Sequence, residues 1–315
     1  MNYRRLGASG LVVSEVALGS WLTLGGHVDA GASERIARHA FDLGVTLFDT
    51  ADAYSNGEAE RVLGRALAGL PRTRLVLATK CFFPMSDDPN DRGLSRKHLF
   101  ESVHASLRRL GTDYLDLHQC HRADPETPLE ETVRAYEDLI RQGKVLYWGL
   151  SQWSEDLAAR ACRIADATGG YRPISNQPQY SLLSRWIEHG LLDAQARLGV
   201  GQIVWSPLAQ GVLTGKYAGG AKPEGSGITV AARARFLDPL LTEANLARVE
   251  RMRSVAQELG VTPAQLALAW CLRRPEVASV IVGATRFEQL DENVLASGLT
   301  LPRATRAKLE RIFGR

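Results

Sequence analysis

Short apolar runs alternate with helix-like segments along almost the whole chain, and this alternation most constrains its fold. Eight such runs begin at positions 16, 45, 75, 114, 145, 173, 202 and 277. Each run is apolar throughout, which is typical of strands that are buried on both faces of a parallel sheet. Eight strand–helix units in 315 residues favour an α/β fold, a closed (β/α)8 barrel of the TIM type, as one domain spanning residues 1–315.

Boundary signals divide the chain into these units. The predicted strands cover residues 16–19, 45–48, 75–79, 114–118, 145–150, 173–176, 202–205 and 277–282. The predicted helices cover residues 33–43, 58–70, 95–110, 128–142, 154–168, 184–198, 262–273, 287–297 and 303–313, with Ser33 and Ser95 as N-caps. The alternative is an open doubly wound sheet, which normally carries a GxGxxG turn after its first strand. Gly19-Ser20-Trp21 stands there instead.

Two segments lie outside the repeat. Strand-like residues 3–6 and 11–13 flank Gly7-Ala8-Ser9-Gly10, which predicts an N-terminal β-hairpin that closes one end of the barrel. Residues 206–261 form an insertion after the seventh strand, far longer than a normal βα connection. It contains a Gly/Pro/Ser-rich stretch at 219–229 and a predicted helix at 243–259. In a barrel this insertion would lie at the catalytic mouth, where it could act as a lid or ligand clamp.

Polar side chains follow three of the predicted strands. Asp49 and Tyr54 follow the second strand, Lys80 ends the third, and His121 lies just beyond the fourth. The carboxyl ends of barrel strands meet at one mouth. There Lys80 could lower the pKa of Tyr54, and Asp49 could pair with Lys80 and orient it. Such an acid, with His121 donating to a substrate oxygen, suits carbonyl reduction, for which a cofactor must supply hydride.

Each of these residues also has a purely structural interpretation. Asp49 could cap a turn, Tyr54 could be a half-buried aromatic, and Asp52 is better interpreted as a turn residue. His118 belongs to the fourth strand by its alternation and could be a hydrogen-bonded wall residue, so position favours His121 only modestly. A barrel lyase or isomerase that uses Lys80 on a phosphorylated substrate is a further alternative.

Composition excludes several other classes of protein. The net charge of +3 gives no reason to expect nucleic acid or an anionic membrane as a partner. The four cysteines show no CxxC spacing, which argues against a disulfide framework or a zinc site. Cys81 and Cys120 flank the candidate site and could sense redox state, although small buried hydrophobes are the more ordinary interpretation. Without a signal-like N-terminus or an apolar run of 18 residues, we expect a cytoplasmic protein without membrane insertion.

Seven motifs, each placed after a predicted strand, resemble the aldo-keto reductases over essentially the whole chain. They resemble in particular the branch that contains the voltage-gated potassium channel β subunits and their bacterial relatives. The motifs are Phe48-Asp49-Thr50-Ala51 with Tyr54, Thr79-Lys80, His121-Arg122-Ala123-Asp124, Gly149-Leu150-Ser151-Gln152-Trp153, Asn176-Gln177-Pro178-Gln179-Tyr180, Trp205-Ser206-Pro207-Leu208 and Val282-Gly283-Ala284-Thr285.

The resemblance implies NADP(H)-dependent reduction of aldehydes or ketones, without a metal. It assigns Tyr54 as general acid, Lys80 and Asp49 as its tuning pair, and His121, in place of His118, as the orienting residue. It implies that Ser151, Gln152 and Gln177 hold the nicotinamide carboxamide and that Trp205 stacks on the ring. Gln152 departs from the usual Asn: the amide chemistry is kept, but the side chain is one methylene longer. A further group is expected at the cofactor: Trp21, Ser206, Pro207, Leu208 and Gly211.

The adenosine and phosphate end of the cofactor has its own candidates. Lys216 supplies a cation for the pyrophosphate, and Gly283 and Thr285 open a helix whose N–H groups favour a phosphate. Arg286 can hold a 2′-phosphate in bidentate fashion, which favours NADP over NAD, although Arg286 and Gln289 could also form a solvated helix face. The resemblance adds Gln289, Glu292 and Asn293. Arg233 or Arg235 could clamp the phosphates, and the sequence does not distinguish them.

Trp21, Phe82 and Phe83 follow predicted strands and should make the substrate pocket apolar, although Phe83 could instead pack beneath its loop. Only Gly314 and Arg315 follow the last predicted helix, so we expect an open or shallow pocket. The leading hypothesis is a reductase of small carbonyl compounds. The alternative is a channel β-subunit-like binding module that senses nicotinamide redox state with slow turnover. The resemblance also allows a homo-oligomer.

Overall fold

The computed structural model describes residues 1–24, 29–218, 221 and 231–314, without the side chains of 231–233. The strands are β1 Tyr3–Arg5, β2 Val12–Ser14, β3 Val16–Gly19, β4 Leu47–Asp49, β5 Val76–Cys81, β6 Leu115–Cys120, β7 Val145–Leu150, β8 Ser175–Asn176, β9 Gly201–Trp205 and β10 Val277–Val282. The helices are α1 Ala30–Asp42, α2 Glu58–Leu67, α3 Arg96–Leu110, α4 Leu129–Arg141, α5 Glu155–Ala167, α6 Leu191–Arg197, α7 Ala231–Leu237, α8 Glu243–Leu259, α9 Pro263–Leu272, α10 Phe287–Val294 and α11 Arg303–Phe313.

Strands β3 to β10 form a closed parallel barrel, which confirms the predicted (β/α)8 fold. Neighbours in the sheet follow the chain order, and β10 pairs with β3 to close the ring, with Val280 opposite Val16. The antiparallel pair β1–β2 is the predicted hairpin. Its residues Leu6 and Val13 are fully buried and pack with the inward-facing strand residues Leu47 and Leu117. The hairpin therefore fills the end of the barrel where the strands begin.

The apolar core has two layers because successive side chains of a strand point to opposite faces. A small inner cluster fills the barrel, and a much larger outer cluster lies between the strands and the helices. At the end of β5, for example, Cys81 joins the outer layer, whereas its neighbour Lys80 points into the barrel. The polar residues of the mouth therefore sit on a rigid, fully packed wall.

Several boundaries differ from the sequence prediction for identifiable reasons. Helix α1 begins three residues earlier than predicted, because Asp29 rather than Ser33 caps it, with its Oδ1 accepting from the Gly31 N–H at 2.9 Å. The predicted helix 184–198 is divided into a 3-10 turn, Trp186–Glu188, and α6, because Gly190 adopts φ +116° between them. Ser95 does cap α3, and Gly111 ends it in the left-handed conformation.

The insertion after β9 occupies the mouth side of the barrel. It begins with a 3-10 segment, Ala209–Thr214, and continues through α7 and α8 before α9 returns to the repeat. The glycine-rich stretch 219–229 lies, apart from residue 221, outside the described residues. Phe236 of α7 packs edge-on against Trp21, which follows β3, with 5.0 Å between the ring centroids. The insertion thus reaches across β10 to the loop that follows β3.

Candidate active site

Asp49 and Lys80 form a buried ion pair at the carboxyl ends of β4 and β5. The Lys80 ammonium donates to Asp49 Oδ2 at 2.6 Å and to the Thr50 carbonyl oxygen at 2.6 Å. Lys80 is fully buried and Asp49 is 4% exposed. Burial lowers the pKa of Lys80, but Asp49 and then Tyr54 more than offset this, so the pKa lies above its usual value. Lys80 is therefore a fixed cation.

Tyr54 lies beside this cation, half-buried, at the start of a 3-10 turn after β4. The Lys80 Nζ is 5.1 Å from the centroid of the phenol ring. Burial raises the pKa of Tyr54 above its usual value, and this outweighs the lowering by Lys80. The sequence argument expected a lowered pKa, and it was wrong because it omitted desolvation. The phenol consequently stays protonated at neutral pH.

His121 follows β6 immediately and lies beside Tyr54. Its ring meets Tyr54 edge-on at a centroid distance of 5.7 Å and Phe83 at 4.8 Å. Burial, and then the charges of Lys80 and Arg122, hold the pKa of His121 well below its usual range, so the imidazole is neutral. Within the described residues its Nδ1 is buried and has no hydrogen-bond partner.

His118 lies on the other side of the barrel wall. Its Nδ1 is 2.9 Å from the Tyr136 hydroxyl in the helix layer, and burial lowers its pKa to about 3. It is therefore a hydrogen-bonded wall residue, and the structure brings His121, not His118, to Tyr54.

A cleft of about 460 Å³ opens from these residues toward the insertion. Most predicted site residues line it: Trp21, Asp49, Tyr54, Phe83, His121, Ser151, Gln177, Trp205, Ser206, Pro207, Leu208, Gly211, Lys216, Gly283, Thr285, Gln289, Glu292 and Asn293. Lys80 is buried behind Asp49 and Tyr54 rather than on the surface of the cleft. Catalytic and cofactor candidates thus share one cavity.

Phe82, Gln152 and Arg286 are predicted site residues that do not line the cleft. Phe82 does not line it but packs against the outer hydrophobic core, next to Phe83 with 5.4 Å between ring centroids. Alternation at the end of the strand sends one phenylalanine outward and one inward, so the assignment of Phe82 to the substrate pocket was wrong. Gln152 adopts a left-handed φ of +62° in the turn after β7 and is also absent from the lining.

Gln177 connects the proposed cofactor end to the catalytic end. Its Nε2 donates to Asp49 Oδ1 at 2.8 Å, and its backbone carbonyl accepts from Ser151 Oγ at 3.0 Å. Asp49 is therefore held from two sides, by Lys80 through one oxygen and by Gln177 through the other. This second partner of Asp49 had no signal in the sequence, because β4 and β8 approach only when the barrel closes.

Cations and a helix start lie at the far end of the cleft. Lys216 lies against Gly211, where an added Cβ would be 2.8 Å from Nζ. Arg235 lines the cleft, whereas the side chain of Arg233 lies outside the described residues. Arg286 is exposed at the N-cap of α10, directly after Thr285, whose N–H donates to Gln289 Oε1 at 2.8 Å. Lys216 and Arg235 line this end of the cavity, and Arg286 stands next to its lining residue Thr285, so these three residues form a basic rim.

Several lining residues were not predicted as site residues, and the largest of them are Arg122, Gln210 and Phe236. Arg122 stood in a quoted motif beside His121 and could have been found by position. The backbone offers a further signal, because strained conformations concentrate at functional sites. Every described non-glycine residue with positive φ follows the carboxyl end of a barrel strand: Leu22, Ser55, Asn56, Gln152, Ser206, Ala209 and Gln210.

A second polar layer lies behind the mouth, between barrel and helices. Asp52 is 1% exposed, accepts from the Ala53 N–H at 2.6 Å and accepts from Ser102 Oγ at 2.9 Å. Burial, and then repulsion from Glu60, raise its pKa to about 7. Asp52 lies in a turn, as expected, and it is in addition a buried structural acid. Cys81 and Cys120 are fully buried, and burial raises the pKa of Cys120 to about 12, so neither resembles a reactive thiol.

The sequence of the chain is similar to that of known proteins. The model of the Aldo/keto reductase family matches residues 15–313. The chain is 42% identical over 315 residues to the "Probable voltage-gated potassium channel subunit beta" of Arabidopsis thaliana, covering 99% of this chain and 95% of that one. The protein of the same name from Oryza sativa subsp. japonica is 42% identical over 299 residues, covering 94% of this chain and 91% of that one. No helix in the described part of the chain is long and apolar enough to cross a membrane. The chain belongs to the aldo/keto reductase family.

Proposed function

We propose that residues 1–315 act as a single-domain, NADP(H)-dependent oxidoreductase that reduces small aldehydes or ketones to alcohols. Membership of the aldo/keto reductase family supports oxidoreductase chemistry. The observation that carries the finer proposal is that a protonated phenol and a neutral imidazole line one end of the cleft, with a fixed ammonium directly behind the phenol.

Tyr54 is the proposed general acid. Its raised pKa keeps the proton available at neutral pH, and the carbonyl oxygen takes that proton as its negative charge develops. The phenolate left behind lies next to Lys80, whose Nζ is 5.1 Å from the ring centroid. Lys80 therefore acts after the proton has left, by stabilising the phenolate rather than by ionising the phenol beforehand.

Asp49 and His121 have supporting roles in this proposal. Asp49 keeps Lys80 charged and in place, and Gln177 fixes the other oxygen of the same carboxylate. His121 is neutral, so it can donate one N–H to the substrate oxygen without adding a charge that would oppose Lys80. A donor aimed at developing oxyanion charge contributes to catalysis in a water-poor site.

The proposed residues fit a nicotinamide dinucleotide. The basic rim formed by Lys216, Arg235 and Arg286 suits its phosphates, and the glycine at 211 leaves room against Lys216 that any Cβ would fill. Ser151, Gln177 and Trp205 lie at the other end of the same cavity and would hold the nicotinamide. When bound, the reduced cofactor supplies the hydride, because no side chain can do so.

The test is NADPH oxidation by the native protein against a panel of aldehydes, with the alcohol identified as product. Using NADPH deuterated at the transferred position, we expect one deuterium on the carbinol carbon. Tyr54→Phe should reduce turnover roughly 100- to 10,000-fold, the usual range for a lost general acid, while NADPH binding is retained. Tyr171→Phe, at an exposed tyrosine, is the matched control. Equal turnover by Tyr54→Phe and the native protein would disprove the acid assignment.

The relatives support a second candidate, a binding module that reports nicotinamide redox state to an ion-channel partner. Both relatives carry names of channel β subunits. The two candidates differ in the step that limits turnover. An enzyme should complete many cycles at about 1 s⁻¹ or faster. A sensor should show one rapid NADPH oxidation followed by cofactor release over minutes, which stopped-flow fluorescence would resolve.

A further inference from the structure

Arg122 lies at the catalytic end of the cleft and has no role in the proposed chemistry. It follows His121 directly, is half-buried, and lines the cavity with Tyr54 and Phe83. Its Nη1 donates to the backbone oxygen of His121 at 2.5 Å, and its Cζ lies 5.6 Å from the Phe83 ring centroid. These contacts orient the guanidinium but leave its charge unbalanced.

Several other partly buried arginines of the described chain have carboxylate partners, whereas Arg248 donates to the amide oxygen of Asn245. Arg109 pairs with Glu60 at 2.5 Å, Arg185 with Glu188 at 2.6 Å, and Arg273 with Glu188 at 2.7 Å. Arg122 has no such ion pair among the described residues, and its recorded polar contact is to a carbonyl oxygen. A charge withdrawn from water without a partner is unfavourable. Among the described residues, Arg122 is therefore a cation of the cleft without a carboxylate partner.

The nearby acids are already engaged. Asp124 accepts from the Leu94 N–H and from Thr127 Oγ1, both at 2.8 Å, and so orders its own loop. Asp49 is held between Lys80 and Gln177. Neither carboxylate is available to Arg122, so an anion on a bound molecule is the remaining partner.

We propose that Arg122 forms an anion subsite, and that the carbonyl substrate of this protein carries a carboxylate. This inference rests on the proposed function for its reaction but not for the binding of the anion. A guanidinium matches a carboxylate in bidentate geometry. Lys80, the other cation at this end, is already neutralised by Asp49. One unbalanced positive charge favours a monoanionic carboxylate over a dianionic phosphate.

The kinetic test compares aldehydes that differ only in charge. The probes are ω-carboxy aldehydes with two to four methylenes, their methyl esters, and a phosphorylated aldehyde of similar length. With the native protein we expect kcat/KM to be about 10- to 100-fold higher for the best carboxylate than for its ester, the range of a charge-assisted hydrogen-bonded pair. Equal values for acid and ester, or a preference for the phosphate, would overturn the proposal.

Variants separate recognition of the anion from positioning of His121. Arg122→Gln should remove most of the preference for the acid over the ester, mainly through KM, and Arg122→Lys should restore part of it. Arg134→Gln, at an exposed arginine of α4, should leave kcat/KM unchanged for both the acid and the ester. An equal loss on acid and ester, through kcat, would show that Arg122 only supports His121 and would overturn the subsite.

A binding measurement distinguishes failure of this inference from failure of the proposed function. Calorimetry with a non-reactive monocarboxylate, phenylacetate, requires no turnover. We expect binding to the native protein to be about 10-fold tighter than to Arg122→Gln. If no aldehyde is reduced but this difference is found, the proposed function fails and the anion subsite stands. Equal binding to both proteins would overturn the subsite, whether or not aldehydes are reduced.

Discussion

The buried carboxylates on the two sides of the barrel wall near the end of β5 have opposite kinds of charged neighbour. On the inside, Lys80 pairs with Asp49 at 2.6 Å, and both groups are almost inaccessible to solvent. On the outside, Asp52 is equally buried but lies near Glu60, which is already paired with Arg109. The inner carboxylate has a cation as its neighbour, whereas the outer one has another acid.

Burial is the largest cause of the raised pKa of Asp52, and Glu60 adds to it, whereas at Lys80 the charge of Asp49 helps to offset the effect of burial on the pKa. Lys80 and Asp49 stabilise each other's charges, and the ammonium of Lys80 therefore stays fixed beside Tyr54. The outer acid binds a proton up to about pH 7 and serves as a hydrogen-bonded support for the loop that carries Tyr54. The inner side is thus built for charge, and the outer side for packing and hydrogen bonding.

Removing the inner cation should have the largest effect on stability. Lys80→Met leaves Asp49 buried with Gln177 as its remaining side-chain partner, and unpairing a buried ion typically costs about 3–5 kcal/mol. We expect a loss of this size in the free energy of unfolding, measured by urea titration, together with loss of turnover. Lys97→Met, which breaks an exposed pair with Glu101, is the control and should change stability little.

The double variant Lys80→Met/Asp49→Asn tests whether the loss comes from the unpaired charge. Because both charges are then absent, its destabilisation should be clearly smaller than the sum of the two single changes. If the two losses simply add, the pair is not coupled and the contrast between the two sides of the wall is wrong.

Changing the outer acid should produce a smaller effect that depends on pH. Its pKa is about 7 in the folded chain against an ordinary value of 3.8, so the folded state holds the extra proton. That stabilisation is complete below about pH 4 and is lost as pH rises toward 7. The free energy of unfolding of Asp52→Asn should therefore rise relative to the native protein by roughly 3–4 kcal/mol over this range.

Urea titrations at pH 4.5, 6 and 7.5 would measure this difference. An amide at position 52 can still accept from the Ala53 N–H and can donate to Ser102, so the fold of the loop should persist. Asp87→Asn, in the exposed loop after β5, is the control. A difference between Asp52→Asn and the native protein that does not vary with pH would show that Asp52 is ionised throughout.

Arg286 should give the smallest effect, because it is exposed at the rim. If Arg286 holds the 2′-phosphate, Arg286→Ala should weaken the binding of NADPH roughly 10-fold and leave the binding of NADH nearly unchanged. Arg306→Ala, in α11, is a control of equal charge. Fluorescence titration measures both cofactors, and an equal loss for NADPH and NADH would contradict the 2′-phosphate role.

The barrel and the meeting of the catalytic candidates could be predicted because they depend on local patterns. Uniformly apolar strands identify a parallel barrel, and residues placed after such strands meet at one mouth whatever the details of packing. Asp49, Tyr54, Lys80 and His121 therefore came together as expected.

What could not be predicted depends on neighbours that are distant in the sequence. The pKa of Tyr54 depends on how far the loops bury it, and that of Asp52 on Glu60 and Ser102 in other elements. Phe82 was misassigned because one residue of register decides whether a side chain faces the core or the cleft. Residues 184–198 were predicted as one helix but form a 3-10 turn and a separate helix. The break at Gly190 could not be predicted, because the sequence does not determine the φ that a glycine adopts.

The most direct test of the account is the pH dependence of a single turnover. Burial keeps the Tyr54 phenol protonated beside a charged Lys80, with a pKa above its usual value. The single-turnover rate of aldehyde reduction by the NADPH complex should therefore change less than about 2-fold between pH 7 and pH 9. A rate that falls about 10-fold per pH unit, with a midpoint below pH 9, would show that Lys80 ionises Tyr54 and would contradict the account.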